Sequence, residues 1–205
     1  MVRVKETSDA LNPQATAGGT TLIAKRAGSL TIKDYPALAL STWGVGFIPL
    51  APGTFGSAVG VGLYLLAERA GAFAIALGAR HGWSAASLAS FRQAFMLLFI
   101  AALTLAGIWA ATRTEKLLGR KDPGVVVVDE VAGQLIAFLF VPANSAWWVI
   151  IAGFVAFRLF DIWKPYPIRR LESLESGLGI MADDVLAGIY AAILLSLLVS
   201  IYSLL

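Results

Sequence analysis

From residue 57 onward, long apolar runs alternate with short polar connectors. The runs fall at about 57–79, 93–112, 125–141, 146–162 and 185–205. A helix that crosses ~30 Å of hydrocarbon needs ~17–25 residues. The second and fifth runs meet that easily, because AFMLLFIAALTLAGIWAAT and VLAGIYAAILLSLLVSIYSLL carry no charge. The first holds Glu68 and Arg69 near its middle, so it must pack against other helices or sit off-centre. The third and fourth are short and meet at the uncharged turn 142–145, which predicts a tight helical hairpin. Residues 1–35 read as a polar, partly mobile tail without an apolar run long enough for a secretory signal. Residues 36–56 are uncharged but broken by three prolines and four glycines, which predicts a loop at the membrane surface. The expectation is an all-α, polytopic membrane protein with about five membrane helices in one embedded domain, 36–205.

Composition supports that class. The 205 residues are 58% hydrophobic and 14% charged, with a mean hydropathy of +0.77. A soluble chain runs at ~45–50% apolar and ~25% charged. Cysteine is absent, which removes disulfides, thiolate nucleophiles and cysteine metal sites. His81 is the only histidine, so no two-histidine mechanism is available. We read it as a bystander in an outer loop, and Trp147 and Trp148 as an outer interfacial anchor. A net charge of +3 suits anionic lipid and is too weak to argue for nucleic acid.

Basic residues set the expected orientation. Arg113, Lys116, Arg120 and Lys121 fall in one connector, and Lys164, Arg169 and Arg170 in another. The tail adds Arg3, Lys5, Lys25, Arg26 and Lys33, whereas 142–145 has no cation. Five spans with a cytoplasmic N-terminus place every basic segment inside. A re-entrant first run would force the 113–124 connector outside.

That topology gathers the acids. Asp129 and Glu130 are expected about one turn into the third span, Asp161 at the end of the fourth, and Asp183 and Asp184 just before the fifth. All five then lie at one depth near the cytoplasmic surface. Crowded carboxylates repel unless cations neutralise them, and hard oxygen ligands suit Mg²⁺. Helix capping is the structural alternative, strongest at Asp183 and Asp184. Asp129 and Glu130 interrupt an apolar run, where a carboxylate is costly and functional by default.

Arg158, Asp161 and Lys164 follow at i, i+3 and i+6, and Pro165 should end their helix. The two cations could bind phosphate, or Arg158 could pair with Asp161 while Lys164 snorkels. The segment 49–57, PLAPGTFGS, precedes a helix. Thr54 or Ser57 could cap it, and small residues such as Gly53 would let a phosphate approach backbone N–H groups. It is no Walker loop, since no Gly-Lys-Ser/Thr follows. The run GLGIMADD at 177–184 reads as flexible glycines delivering two acids to a membrane helix.

At these residues the chain resembles the phosphatidylglycerophosphatase A family. The resemblance is carried by GFIPLAPGTFGS at 46–57, Asp122-Pro123-Gly124 through Asp129-Glu130, FRLFDIWKP at 157–165 and GLGIMADD at 177–184. Four blocks in order cover roughly 40–200. The resemblance implies a helical, Mg²⁺-dependent lipid phosphatase of the bacterial inner membrane. It would convert phosphatidylglycerophosphate to phosphatidylglycerol, the last step of that lipid's synthesis.

The residues and the resemblance agree on chemistry. Without cysteine or a clear histidine nucleophile, phosphomonoester hydrolysis is left with metal-activated water or a transiently phosphorylated aspartate. Asp129, Glu130, Asp161 and Asp184 are the expected metal ligands or base, and Asp183 is a further ligand. Arg158 and Lys164 would hold the phosphate, and Gly53, Thr54 and Ser57 would contact phosphate or glycerol oxygens. A cation or proton transporter would place its carboxylates nearer the bilayer midplane. A phosphatidyl-group transferase would need a denser aspartate motif.

Overall fold

The computed structural model describes residues 30–143 and 145–204. Apart from its last residues, the expected mobile tail lies outside this range, as does Asn144 of the expected turn. The described residues form seven α-helices and no strand. They are α1 (Asp34–Thr42), α2 (Pro52–Arg80), α3 (Ala85–Leu118), α4 (Val128–Ala137), α5 (Trp147–Trp163), α6 (Ile168–Leu171) and α7 (Ser176–Tyr202), with a 3₁₀ turn at Val45–Phe47.

Three helices, α2, α3 and α7, are long and apolar enough to cross a membrane. Among the described residues the expected count of five is not confirmed. The third apolar run yields an α4 of ten residues, about 15 Å long at 1.5 Å per residue. Its lead-in, Val125–Val127, is buried but not helical, and the Val127 N–H donates to the Ser41 carbonyl at 2.8 Å. Tight turns at Phe138–Val141 end it. With 17 residues, α5 sits at the lower limit of a span.

Enclosure explains α4. It packs against α2, α3, α5 and α7, and every residue from Val131 to Ala137 is buried. Close approach of α4 and α7 depends on two glycines. A Cβ on Gly133 would meet the Asp184 carbonyl and the Phe157 ring, and one on Gly188 would meet the Gly133 carbonyl. Small residues at such crossings let helix backbones touch inside a membrane. Elsewhere Leu66, Phe73, Leu98, Leu105, Ile151 and Val155 face outward, the pattern of a lipid-facing surface.

Residues 36–56 are not a plain loop, because 36–42 continue the helix that begins at Asp34. Asp34 begins α1, and its carboxylate accepts hydrogen bonds from the backbone N–H and hydroxyl of Thr31 and pairs with Arg113 near the end of α3. The Arg113 hydrogen bond first, then Thr31, hold its carboxyl down at about 2.

Of the two charges in the first long run, Glu68 is accommodated by packing and Arg69 is exposed. Glu68 pairs with Arg92 of α3 at 2.7 Å, and Arg92 also donates to the Val141 carbonyl. This is the end of the bundle opposite Arg113. His81 lies there, after the last residue of α2, and Trp148 packs edge-on against Tyr202 with ring centres 5.1 Å apart.

Candidate active site at the carboxylate cluster

Near the Arg113 end of the bundle, side chains from α4 and α7 converge. One carboxylate oxygen each from Asp129, Glu130 and Asp184 lie within 4.8 Å of one another. Oδ1 of Asp129, Oε2 of Glu130 and Oδ2 of Asp184 are inaccessible and have no hydrogen-bond partner. Oxygens this buried normally have partners. Three carboxylates this close, each with a buried oxygen that lacks a partner, are suited to a hard cation, so the donor set fits Mg²⁺.

Local structure differs from expectation at both acidic pairs. Asp129 and Glu130 stand in the first turn of α4, with no side-chain cap at that helix start. Asp183 and Asp184 lie about two turns inside α7, which begins at Ser176, so they cannot cap it. The glycines before them are packing positions. Gly177 abuts the Ile108 carbonyl and Thr112, and its N–H donates to Thr112 Oγ1 at 3.0 Å.

The other two acids are paired with cations. Arg158 Nη1 lies 2.6 Å from Asp161 Oδ2. Lys164 Nζ lies 2.6 Å from Asp183 Oδ2 and 2.8 Å from Glu172 Oε1. Asp129, Glu130 and Asp184 form no ion pair among the described residues. The helix of Arg158 does end before Pro165, with Lys164 in the left-handed conformation at φ 46°.

The start of α2 closes the site. A Cβ on Gly53 would meet both Glu130 Oε1 and Arg158 Nη1, so only glycine lets the α2 backbone come this near. As the second residue of α2, Gly53 has an N–H with no intrahelical acceptor. The positive ends of α2 and α4 thus both lie at the acidic cluster. Thr54 is exposed and adjacent. Ser57 is buried and donates back to the Gly53 carbonyl at 3.0 Å. Neither caps α2, whose preceding residue is Ala51 at φ 51°.

Two residues of the site escaped the sequence reading. Glu172 shares Lys164 with Asp183, and only its place in the same connector hinted at that. Gln134 lies one turn beyond Glu130, fully buried, with both amide atoms unpartnered. Its signal was a lone amide inside the apolar stretch Val131–Ile136.

Comparison with known proteins gives the site a family. The family model described as Phosphatidylglycerophosphatase A matches residues 38–199, which include every site residue above. A Bacteroides thetaiotaomicron protein with the provisional name phosphatidylinositol-3-phosphatase is 42% identical over 78% of this chain and 91% of its own length. Proteins named phosphatidylglycerophosphatase A are 39% identical in Haemophilus influenzae, over 74% of this chain and 80% of that one, and 32% identical in Escherichia coli, over 73% and 75%. No solved structure matches. With most of its length matched, the four sequence blocks all inside the match and their acids gathered at one end of a helical bundle, the chain belongs to the phosphatidylglycerophosphatase A family.

Proposed function

We propose that this chain hydrolyses the terminal phosphomonoester of phosphatidylglycerophosphate, releasing phosphatidylglycerol and inorganic phosphate, with Mg²⁺ as cofactor. The observation that carries the reading is the approach of the Asp129, Glu130 and Asp184 carboxylates within 4.8 Å, each with a buried oxygen that lacks a partner. These residues would hold Mg²⁺, with Asp161 and Asp183 at the rim. Bound there, the cation supplies neutralisation of phosphoryl charge and a lowered pKa for water.

The chain's own residues do the rest. Arg158, beside Gly53 and Glu130, presents a planar donor set to the phosphoryl oxygens. The N–H of Gly53 and the exposed Thr54 hydroxyl add donors at a helix N-terminus. Lys164 contributes a point charge at the entrance. A carboxylate oxygen of the cluster takes the proton of the attacking water. The buried walls from α4 and α7 keep bulk water from the reacting phosphate.

A membrane setting with the cluster facing the cytoplasm, in the bacterial inner membrane, completes the proposal. The basic residues Arg113, Lys116, Lys121, Lys164, Arg169 and Arg170 all lie toward the cluster end, as the positive-inside rule asks. The acids of α4, the end of α5 and α7 likewise gather at one end and not across the middle, which speaks against a transporter.

The test is phosphate release by purified protein in detergent, with Mg²⁺ and after EDTA. Phosphatidylglycerophosphate and phosphatidylinositol 3-phosphate should be run in parallel, given the name of the Bacteroides relative. Asp129→Asn and Glu130→Gln should each lower kcat/KM at least ~100-fold, about 2.7 kcal/mol of transition-state stabilisation. Both variants should stay folded, since each removes one of several crowded charges. Full activity in either, at unchanged Mg²⁺, removes that residue from the site. Activity unaffected by EDTA removes the metal.

A further inference from the structure

Beside the cluster, the connector after α5 forms a surface groove of about 520 Å³. Trp163, Lys164, Tyr166, Arg169 and Arg170 line it, together with the two prolines of that turn. Only Lys164 has a role in the reading above, through Asp183. Arg169 and Arg170 are exposed and make no ion pair among the described residues.

The groove is built. Ile168, between the prolines and the arginines, is fully buried and pins the connector to the bundle. Tyr190 of α7 donates its hydroxyl proton to the Tyr166 carbonyl at 3.2 Å. The Arg170 guanidinium lies over the Tyr166 ring, 4.8 Å from its centre, and one of its N–H groups reaches the Tyr166 hydroxyl. Such stacking sets a guanidinium's plane and leaves edge donors available.

A second observation says what approaches it. Ile151, Val155, Leu159 and Ile162 are all more than half exposed and recur at helical spacing along one face of α5. That stripe runs to Trp163 and ends there, and the cations begin one residue later. An apolar stripe, then an aromatic at the boundary, then paired arginines is the order in which a phospholipid presents acyl chains, glycerol and phosphate.

We infer that this groove binds the phosphodiester of the lipid substrate, through Arg169 and Arg170, while the acyl chains lie along the exposed face of α5. Phosphatidylglycerophosphate carries two phosphates separated by one glycerol. With the diester held here, Lys164 marks the path by which the terminal phosphomonoester reaches Asp129, Glu130 and Asp184. The site selects lipids with a phosphodiester between the acyl chains and the reacting phosphate. Phosphatidic acid, whose phosphomonoester sits directly on the diacylglycerol, lacks it. This inference rests on the lipid-phosphatase reading.

The experiment measures two things on detergent-purified full-length protein: hydrolysis of phosphatidylglycerophosphate, and binding of dihexanoyl phosphatidylglycerol by calorimetry. The latter carries the diester but no scissile phosphate. Arg169→Ala/Arg170→Ala should raise KM about tenfold with kcat within about twofold, and weaken dihexanoyl phosphatidylglycerol about tenfold. Lys33→Ala/Lys116→Ala, which removes two other exposed cations near the same end, should change neither. Arg169→Lys/Arg170→Lys keeps the charge and loses the planar fork, and should fall between. It decides the matter if the alanine variant does not fold. Equal weakening by the Lys33/Lys116 variant reduces the groove to general surface charge and overturns the inference, as does unchanged binding in the arginine variants. If wild type fails to hydrolyse phosphatidylglycerophosphate, the catalytic reading falls and the binding measurement still decides the groove.

Discussion

Lys164 Nζ lies 2.6 Å from Asp183 Oδ2, which ties the residue that ends α5 to a position two turns inside α7. The same ammonium group reaches Glu172 at 2.8 Å. One cation thus braces the connector, α5 and α7 beside the cluster. Arg158 and Asp161 form the matching pair on α5 itself. Each pair places a cation on a rim acid, whereas Asp129, Glu130 and Asp184 form no ion pair among the described residues, as the proposed Mg²⁺ site requires.

The two pairs should therefore separate in a Mg²⁺ titration. Lys164→Ala would remove the proposed phosphate contact and no proposed ligand, so activity should fall and added Mg²⁺ should not restore it. Asp161→Ala should shift the Mg²⁺ midpoint upward and be partly rescued at high Mg²⁺. Phosphate release against Mg²⁺ concentration checks both. A shifted midpoint in the lysine variant alone would reverse these roles.

Much of this site was legible because carboxylates inside apolar runs are costly and therefore conspicuous. Asp129 and Glu130 announce themselves between Val128 and Val131, and the Arg158–Asp161 pair follows from i, i+3 spacing. Helix boundaries were harder. An apolar run of spanning length looks the same to hydropathy whether it faces lipid or protein, so 125–141 read as a span while α4 is a ten-residue core helix. Gly177 and Gly179 looked like a flexible lead-in because glycine disfavours helices in water. Here they serve close packing inside α7, which only the neighbours at Ile108, Thr112 and Leu174 reveal. The pairing of Asp34 with Arg113 joins residues 79 apart, and no local pattern encodes it.

Gly188 tests how far the cluster depends on helix approach. In Gly188→Ala the new methyl meets the Gly133 carbonyl and Ile136, both fixed by α4. Backbone cannot yield as a side-chain tip does, so α7 must move away from α4 and take Asp184 with it. A loss of about 1–3 kcal/mol of stability is expected, as for other overpacked contacts. Activity should fall further than in Gly62→Ala, where a Cβ meets open space. Thermal unfolding in detergent and phosphate release, measured on both variants, check this. Equal behaviour of the two would show that the α4–α7 contact does not set the geometry of the site.

Asp34 gives a pH dependence with a definite sign. Its folded carboxyl is held at about 2, chiefly by the Arg113 hydrogen bond, below its ordinary value near 3.8. A lowered carboxylate pKa stabilises the fold above the unfolded value and loses that contribution as pH falls through the folded one. Asp34→Asn should therefore be less stable than wild type at pH 6. The gap should narrow between about pH 4 and pH 2, where the wild-type carboxylate gains its proton. Unfolding temperatures of both proteins across that range measure the gap. A constant difference would mean that the Asp34–Arg113 pair contributes no charge-dependent stability.

The last expectation concerns which end of the bundle faces the cytoplasm. The chain has no cysteine, so single cysteines can be introduced without background. Leu174 lies in the connector of the cluster end, two residues from the Lys164 partner Glu172. Ser145 is partly exposed in the turn between α4 and α5, near the Glu68–Arg92 end. The excess of lysine and arginine near Leu174 should retain that end inside. An impermeant thiol reagent applied to intact cells should label Ser145→Cys and spare Leu174→Cys until the membrane is opened. The reverse pattern would put the carboxylates outside, away from any lipid phosphate made on the cytoplasmic leaflet.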